Sequence, residues 1–153
     1  MKILLATDGT KYGDAAANML MNFKLTDGDE IKIVSVVDMA LPLSVDIYGG
    51  YLPDTTEIEK AARENAEKVL ETTTANVRKA FGGKHPSISS DVLFGSPDSR
   101  IVETAEEYGA DLIILGSHGY KRWERLLLGS VSNSVVHHAH CSVLVVRTAE
   151  ESE

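Results

Sequence analysis

Ala110-Asp111-Leu112-Ile113-Ile114-Leu115-Gly116-Ser117-His118-Gly119 holds four consecutive apolar residues that run directly into two closely spaced glycines. A short uninterrupted apolar run bounded by a turn signal reads as a strand covered on both faces. Strands are likewise read upstream at Ile3 to Thr7, ended by Asp8-Gly9, at Ile31 to Val37 and at Ile88 to Phe94. Downstream another is read at Val143 to Val146. Five such strands in one chain call for a shared sheet.

Between the runs the apolar period changes from continuous to three and four. Ala15, Met19, Leu20 and Phe23 predict a first helix that ends near Asp27-Gly28. Ile58, Ala62, Ala66, Val69, Thr73, Val77 and Ala80 form the stripe of a long second helix, stopped by Gly82-Gly83. Pro97 opens a third helix, as a first-turn proline does, with Ile101, Ala105 and Tyr108 inward. A fourth helix runs from about Ser130 to His140. Met39 to Thr56, with two prolines and Gly49-Gly50, reads as a long loop or mobile cover. Strands alternating with helices imply a parallel sheet with helices on both faces. Right-handed crossovers leave few strand orders, 2-1-3-4-5 and 3-2-1-4-5 among them.

The 153 residues suit one domain, and neither a repeat nor a linker interrupts them. The expected division is a domain over residues 1–148 and a solvated acidic tail over 149–153. A net charge of −8 argues against nucleic acid or an anionic membrane as partner. It leaves a small anion open, because local amides can hold one whatever the net charge. No apolar run approaches the roughly 20 residues of a membrane span, and the apolar start is too short for a signal peptide. Cys141 is the single cysteine, so neither an internal disulfide nor a thiolate cluster is expected. The expected location is cytoplasmic.

In open α/β sheets ligands bind beyond the carboxyl ends of the strands, where the strand order reverses. Thr7-Asp8-Gly9 after the first strand and Gly116-Ser117-His118-Gly119 after the fourth meet there in the order 3-2-1-4-5. A glycine directly after a strand lets the chain turn and lets a ligand approach without a Cβ in the way. Gly129-Ser130 then stands before a helix, so the free amides of Ser130, Val131, Ser132 and Asn133 would point at an anion favoured by the helix dipole. A hydroxyl of Ser130 or Ser132 adds a donor. Each cluster alone is more often a turn or an N-cap. Their placement at neighbouring strand ends, with Asp8 opposite, favours a phosphate site.

The spacing Gly116-x2-Gly119-x9-Gly129-Ser130 resembles the nucleotide signature of the universal stress protein family, in its ATP-binding branch. Lys2 to Gly9 resembles that family's first strand and acidic turn, and Gly95-Ser96-Pro97 with Ala110 to Gly119 its third and fourth strand region. Cys141 to Val146 resembles its last strand. The likeness covers nearly the whole chain apart from residues 39–56, and Ser142 departs from the proline often found before the last strand. It implies an open five-stranded parallel sheet in the order 3-2-1-4-5, of the adenine nucleotide α-hydrolase-like or Rossmann-like kind. It also implies roles: Asp8 and Thr7 face the adenosine, and the backbone of Val36 borders the adenine. Gly116 and Gly119 approach ribose and phosphates, while Gly129, Ser130, Val131 and Ser132 hold phosphates through amides and hydroxyls. The implied ligand is ATP, AMP or ADP with Mg or Mn held by phosphate oxygens and water. The implied assembly is a homodimer through the last strand, which also answers the hazard of an exposed apolar sheet edge.

Other residues invite stories of their own. Lys121, Arg122, Trp123 and Arg125 read mainly as a solvated loop face, with phosphate screening the lesser reading. His137, His138 and His140 with Cys141 fall in the last turn of a helix, where histidines complement the dipole, so no metal site is expected. His118 is the one titrating group inside the glycine loop, and it lacks an evident orienting partner. Beyond His118 and Asp8 no residue offers a convincing nucleophile or base. The expected function is a regulatory ATP-binding module of a stress response with at most slow hydrolysis. A nucleotide-independent scaffold and a phosphotransferase-type enzyme are the alternatives.

Overall fold

The computed structural model describes residues 1–39, 55–82, 85–118 and 128–148. They form β1 (Lys2–Ala6), α1 (Lys11–Met21), β2 (Glu30–Asp38), α2 (Thr55–Ala80), β3 (Ser87–Gly95), α3 (Pro97–Tyr108), β4 (Leu112–Gly116), α4 (Ser130–His138) and β5 (Ser142–Val146). The strands make one parallel sheet in the order β3-β2-β1-β4-β5. Ile3 lies opposite Ile31 on one side and Leu112 on the other, so the order reverses between β1 and β4.

The uninterrupted apolar runs are explained by two cores. Ile3, Leu5, Ile31, Ile33 and Ile114 pack with Ala16, Ala17 and Leu20 of α1 and with Leu70 and Val77 of α2. Leu4, Ala6, Val34, Ile113 and Leu115, which alternate with them, pack with Ile101 and Ala105 of α3 and Val135 of α4. Successive side chains point to opposite faces, so a strand covered on both faces is apolar at most of its positions. Burying each Leu, Ile or Val contributes roughly 1.5–3 kcal/mol before the opposing chain entropy.

Several boundaries differ from the sequence reading. α1 stops at Met21, with Asn22 as its cap, well before Asp27-Gly28. Its buried face is Gly13, Ala16, Ala17 and Leu20, leaving Met19 39% exposed. Steps of three and four can be threaded through adjacent stripes of one helix, and packing against β1 and β4 selects between them. For the same reason α2 buries Ala66, Leu70, Thr73 and Val77 while Ile58 is 61% exposed. α2 begins at Thr55, just inside the stretch read as loop, and the rest of that stretch, 40–54, lies outside the described residues. α4 ends at His138 because Ala139 turns extended. β3 is an edge strand, and Ser87, Ser89, Ser90 and Asp91 on it are exposed. It is therefore not covered on both faces. Residues 149–153 lie outside the described residues, and among the described ones no helix is long and apolar enough to cross a membrane.

Candidate functional site

A cleft of about 650 Å³ opens at the carboxyl ends of the strands. Thr7, Asp8 and Gly13 line one side, Gly116, His118 and Gly129 to Ser132 the other. Val34 to Asp38 of β2, Ala62, Asn65 and Ala66 of α2, and Ser96 to Asp98 at the start of α3 complete it.

The β1 side is built by a tight turn. Asp8 Oδ1 accepts from the Thr10 amide at 3.0 Å and from its hydroxyl at 2.6 Å. Thr10 caps α1 through its side chain, which accepts from the Gly13 amide. A Cβ at Gly13 would lie 2.6 Å from Thr7 Oγ1 and 3.0 Å from Asp8 Oδ1. Gly13 thus lets the first turn of α1 lie directly on the Thr7-Asp8 pair.

On the β4 side the glycines have a reason beyond ligand approach. A Cβ at Gly116 would sit 2.6 Å from the Tyr12 carbonyl oxygen, so the start of α1 occupies that space. At Gly129 it would meet the Ser117 carbonyl at 3.1 Å and His118 Cα at 3.2 Å. The Gly129 amide donates to the Ser117 carbonyl at 2.8 Å, and the Ser132 hydroxyl, 2% exposed as a residue, reaches the same oxygen at 2.9 Å. Ser130, Val131 and Ser132 are the first residues of α4, whose amides have no acceptor within the helix itself.

The α3 side is closed by its own carboxylate. Asp98 accepts from the Ser96 hydroxyl at 2.6 Å and the Ser134 hydroxyl at 2.7 Å. Those bonds, with help from the amides of Ser99 and Asp98, hold its carboxyl below the usual range. Among the described residues the cleft presents Asp8, Asp38, Asp98 and His118 but no Lys or Arg. His118 does have an orienting partner: its Nδ1 lies 3.1 Å from Ser117 Oγ, and its ring centroid 5.3 Å from that of Tyr12.

Thr7, Asp8, Val36, Gly116, Gly129, Ser130, Val131 and Ser132 therefore lie around one cleft. Gly119, Lys121, Arg122, Trp123 and Arg125 fall outside the described residues. Gly13, Asp38, Asn65 and Asp98 line the cleft without having been anticipated. Gly13 carried a signal, since a glycine inside a helix costs about 1 kcal/mol relative to alanine and so needs a reason. Asp98 carried one too, in a helix start directly after a strand. Asn65 carried none, because only the packing of α2 brings it there. The helix-end histidines are engaged locally: Nδ1 of His137 and of His138 donate to the Asn133 and Ser134 carbonyls at 2.8 Å, and His140 lies 3.7 Å from Glu106. Among the described residues no three His, Cys, Asp or Glu side chains form a group that could hold a metal ion.

Fold and cleft define a doubly wound α/β domain with a helix N-terminus opening at its switch point. Residues 1–147 match the sequence model of the Universal stress protein family. A universal stress protein of Staphylococcus epidermidis is 34% identical over 152 residues, covering 99% of this chain and 86% of its own length. The chain belongs to the universal stress protein family. Among solved structures, hypothetical protein MJ0577 is 27% identical with a TM-score of 0.74, covering 98% of this chain and 97% of its own. A universal stress protein family member from Arabidopsis thaliana with AMP bound has the same fold at 14% identity and a TM-score of 0.68, covering 99% and 94%.

Proposed function

We propose that the cleft is an adenine-nucleotide site and that the protein is an ATP-binding regulatory module of a stress response. One observation carries this reading: the N-terminus of α4, with no acidic residue in its first turn, opens into a cleft large enough for a nucleotide. The amides of Ser130, Val131 and Ser132 hold the phosphates, joined by the Ser130 hydroxyl. The Gly129 amide and the Ser132 hydroxyl, both engaged with chain carbonyls, do not. Thr7 and Asp8 face the adenosine, the Val36 backbone borders the base, and Gly116 lies near the ribose, with Gly119 as a further close-approach position. The AMP carried by the Arabidopsis relative supports an adenylate as ligand class.

With carboxylates and no Lys or Arg on the described wall, a divalent cation such as Mg or Mn suits a triphosphate here. It would be held by phosphate oxygens and water, since the described side chains offer no cage. Hydrolysis is at most slow: among the described residues the phosphate seat has one imidazole beside it, His118, and no assembled nucleophile and base. β5 is an edge strand with valines half-buried on its faces, which supports a homodimer through that strand. The reading places the protein in the cytoplasm.

Mass analysis of ligand released from the purified protein, followed by titration with AMP, ADP and ATP with and without magnesium, tests it. An adenylate in the extract and affinity in the micromolar range are expected. An empty extract and no binding at millimolar nucleotide would remove the reading and leave a nucleotide-independent scaffold.

A further inference from the structure

We propose that Ser132 is the positioning residue of the phosphate seat: its hydroxyl latches the chain leaving β4 to the first turn of α4. The proposal rests on the nucleotide reading of the cleft and deepens it. Ser132 Oγ lies 2.9 Å from the Ser117 carbonyl and 3.0 Å from the Gly129 carbonyl. Those two carbonyls belong to opposite ends of the segment 118–128, so one proton ties both ends to one side chain. The Ser117 carbonyl also receives the Gly129 amide at 2.8 Å, which closes a ring of three groups.

The latch is anchored and tightly packed. The Ser117 amide donates to the Val146 carbonyl at 2.9 Å, so the ring hangs from the β4–β5 ladder. A Cβ at Gly129 would come within 3.1 Å of Ser117 O, 3.2 Å of His118 Cα and 3.7 Å of Ser132 Oγ, which shows how closely the two ends approach. Ser132 is 2% exposed and its hydroxyl proton already has two carbonyl acceptors, so the side chain acts on the ligand through the backbone. It orients the amides of Ser130 to Ser132 toward the cleft before any ligand arrives. Preorganised donors gain affinity because the cost of ordering them is met during folding.

The test compares Ser132→Ala, Ser132→Thr and Ser132→Cys. Two readouts are needed: the exchange rate of the Gly129 amide by NMR in the nucleotide-free protein, and the Kd for AMP by calorimetry. Removal of the hydroxyl in S132A is expected to speed Gly129 exchange at least tenfold and to weaken AMP binding by about tenfold. S132T, which keeps a hydroxyl able to bond a carbonyl one turn back, is expected to restore both. S132C keeps a side chain of similar shape with a weaker donor and falls between them, carrying the test should the alanine variant not fold. Unchanged Gly129 exchange in S132A, or faster exchange with unchanged AMP affinity, would overturn the proposal. So would a cysteine variant equal to wild type in both readouts. Absence of AMP binding to the wild-type protein would remove the nucleotide reading, and Gly129 exchange would still decide whether Ser132 holds the segment.

Discussion

The starts of α3 and α4 face the same cleft, come next in element order after β3 and β4, and carry dipoles of the same sense. They treat their free amides in opposite ways. At α3 the chain supplies its own anion: Asp98 takes the hydroxyls of Ser96 and Ser134 and first-turn amides, and Pro97 has no N–H to offer. At α4 the cap is Gly129, without a side chain, and the first turn carries no acid. α1 and α2 resemble α3 in this, with Asp14 and Glu57 in their first turns. A helix dipole alone therefore does not define an anion site. What separates the two is whether the chain has already answered the dipole.

The strongest way to break this contrast is to give α4 the acid that α3 has. Ser130→Glu should weaken ATP or AMP binding by at least about 100-fold, since like charges held together cost several kcal/mol. Calorimetric titration of a variant shown to be folded by circular dichroism checks this, and unchanged affinity would rule out α4 as the seat.

Next in size come the glycines, where steric and ligand roles part company. Gly116→Ala drives a Cβ into the Tyr12 carbonyl and should cost about 1–3 kcal/mol of stability in urea denaturation without nucleotide. Gly129→Ala meets backbone at 3.1 and 3.2 Å and should cost about 1 kcal/mol in the same experiment. If neither loses stability without ligand, the close packing of Tyr12 and His118 does not explain these glycines.

The smallest effect belongs to α3. Asp98→Asn removes the built-in anion and should tighten ATP binding by about two- to fivefold, since a charge near a helix end is worth roughly 0.3–1 kcal/mol. The same variant has a pH signature. The folded protein holds the Asp98 carboxyl below its ordinary value, so its contribution is present above the unfolded pKa and is lost as pH falls through the folded one. Denaturation between about pH 5 and pH 2 should therefore show a shallower loss of stability in D98N than in wild type. Asp29, brought down to about 2 chiefly by its hydrogen bond from the Met1 ammonium, loses its contribution in this range in both proteins and cancels in the comparison.

Much of this was readable residue by residue. Ile3 to Ala6 and Leu112 to Leu115 announced buried strands because a two-sided environment favours apolar residues at successive positions. Ser130 announced a helix start, and Asp8-Gly9 a turn. The register of the helices was less legible: Met19 and Ile58 fit their stripes on paper yet face outward, because adjacent stripes have similar spacing and only the facing strand chooses between them.

The amino-acid sequence by itself determined the alternation of strands and helices, the family signature and which strand ends carry ligand-tolerant residues. These follow from local periodicity and backbone freedom, which each segment expresses without reference to the others. Only the tertiary structure decided that Gly116 is a glycine for Tyr12, that the Gly129 amide and the Ser132 hydroxyl serve the chain, and that Asp98 already fills the neighbouring helix start. Those assignments depend on contacts between residues far apart in the chain, such as Tyr12 and Gly116 or Asp98 and Ser134, whose meeting is a property of how the helices pack across the sheet.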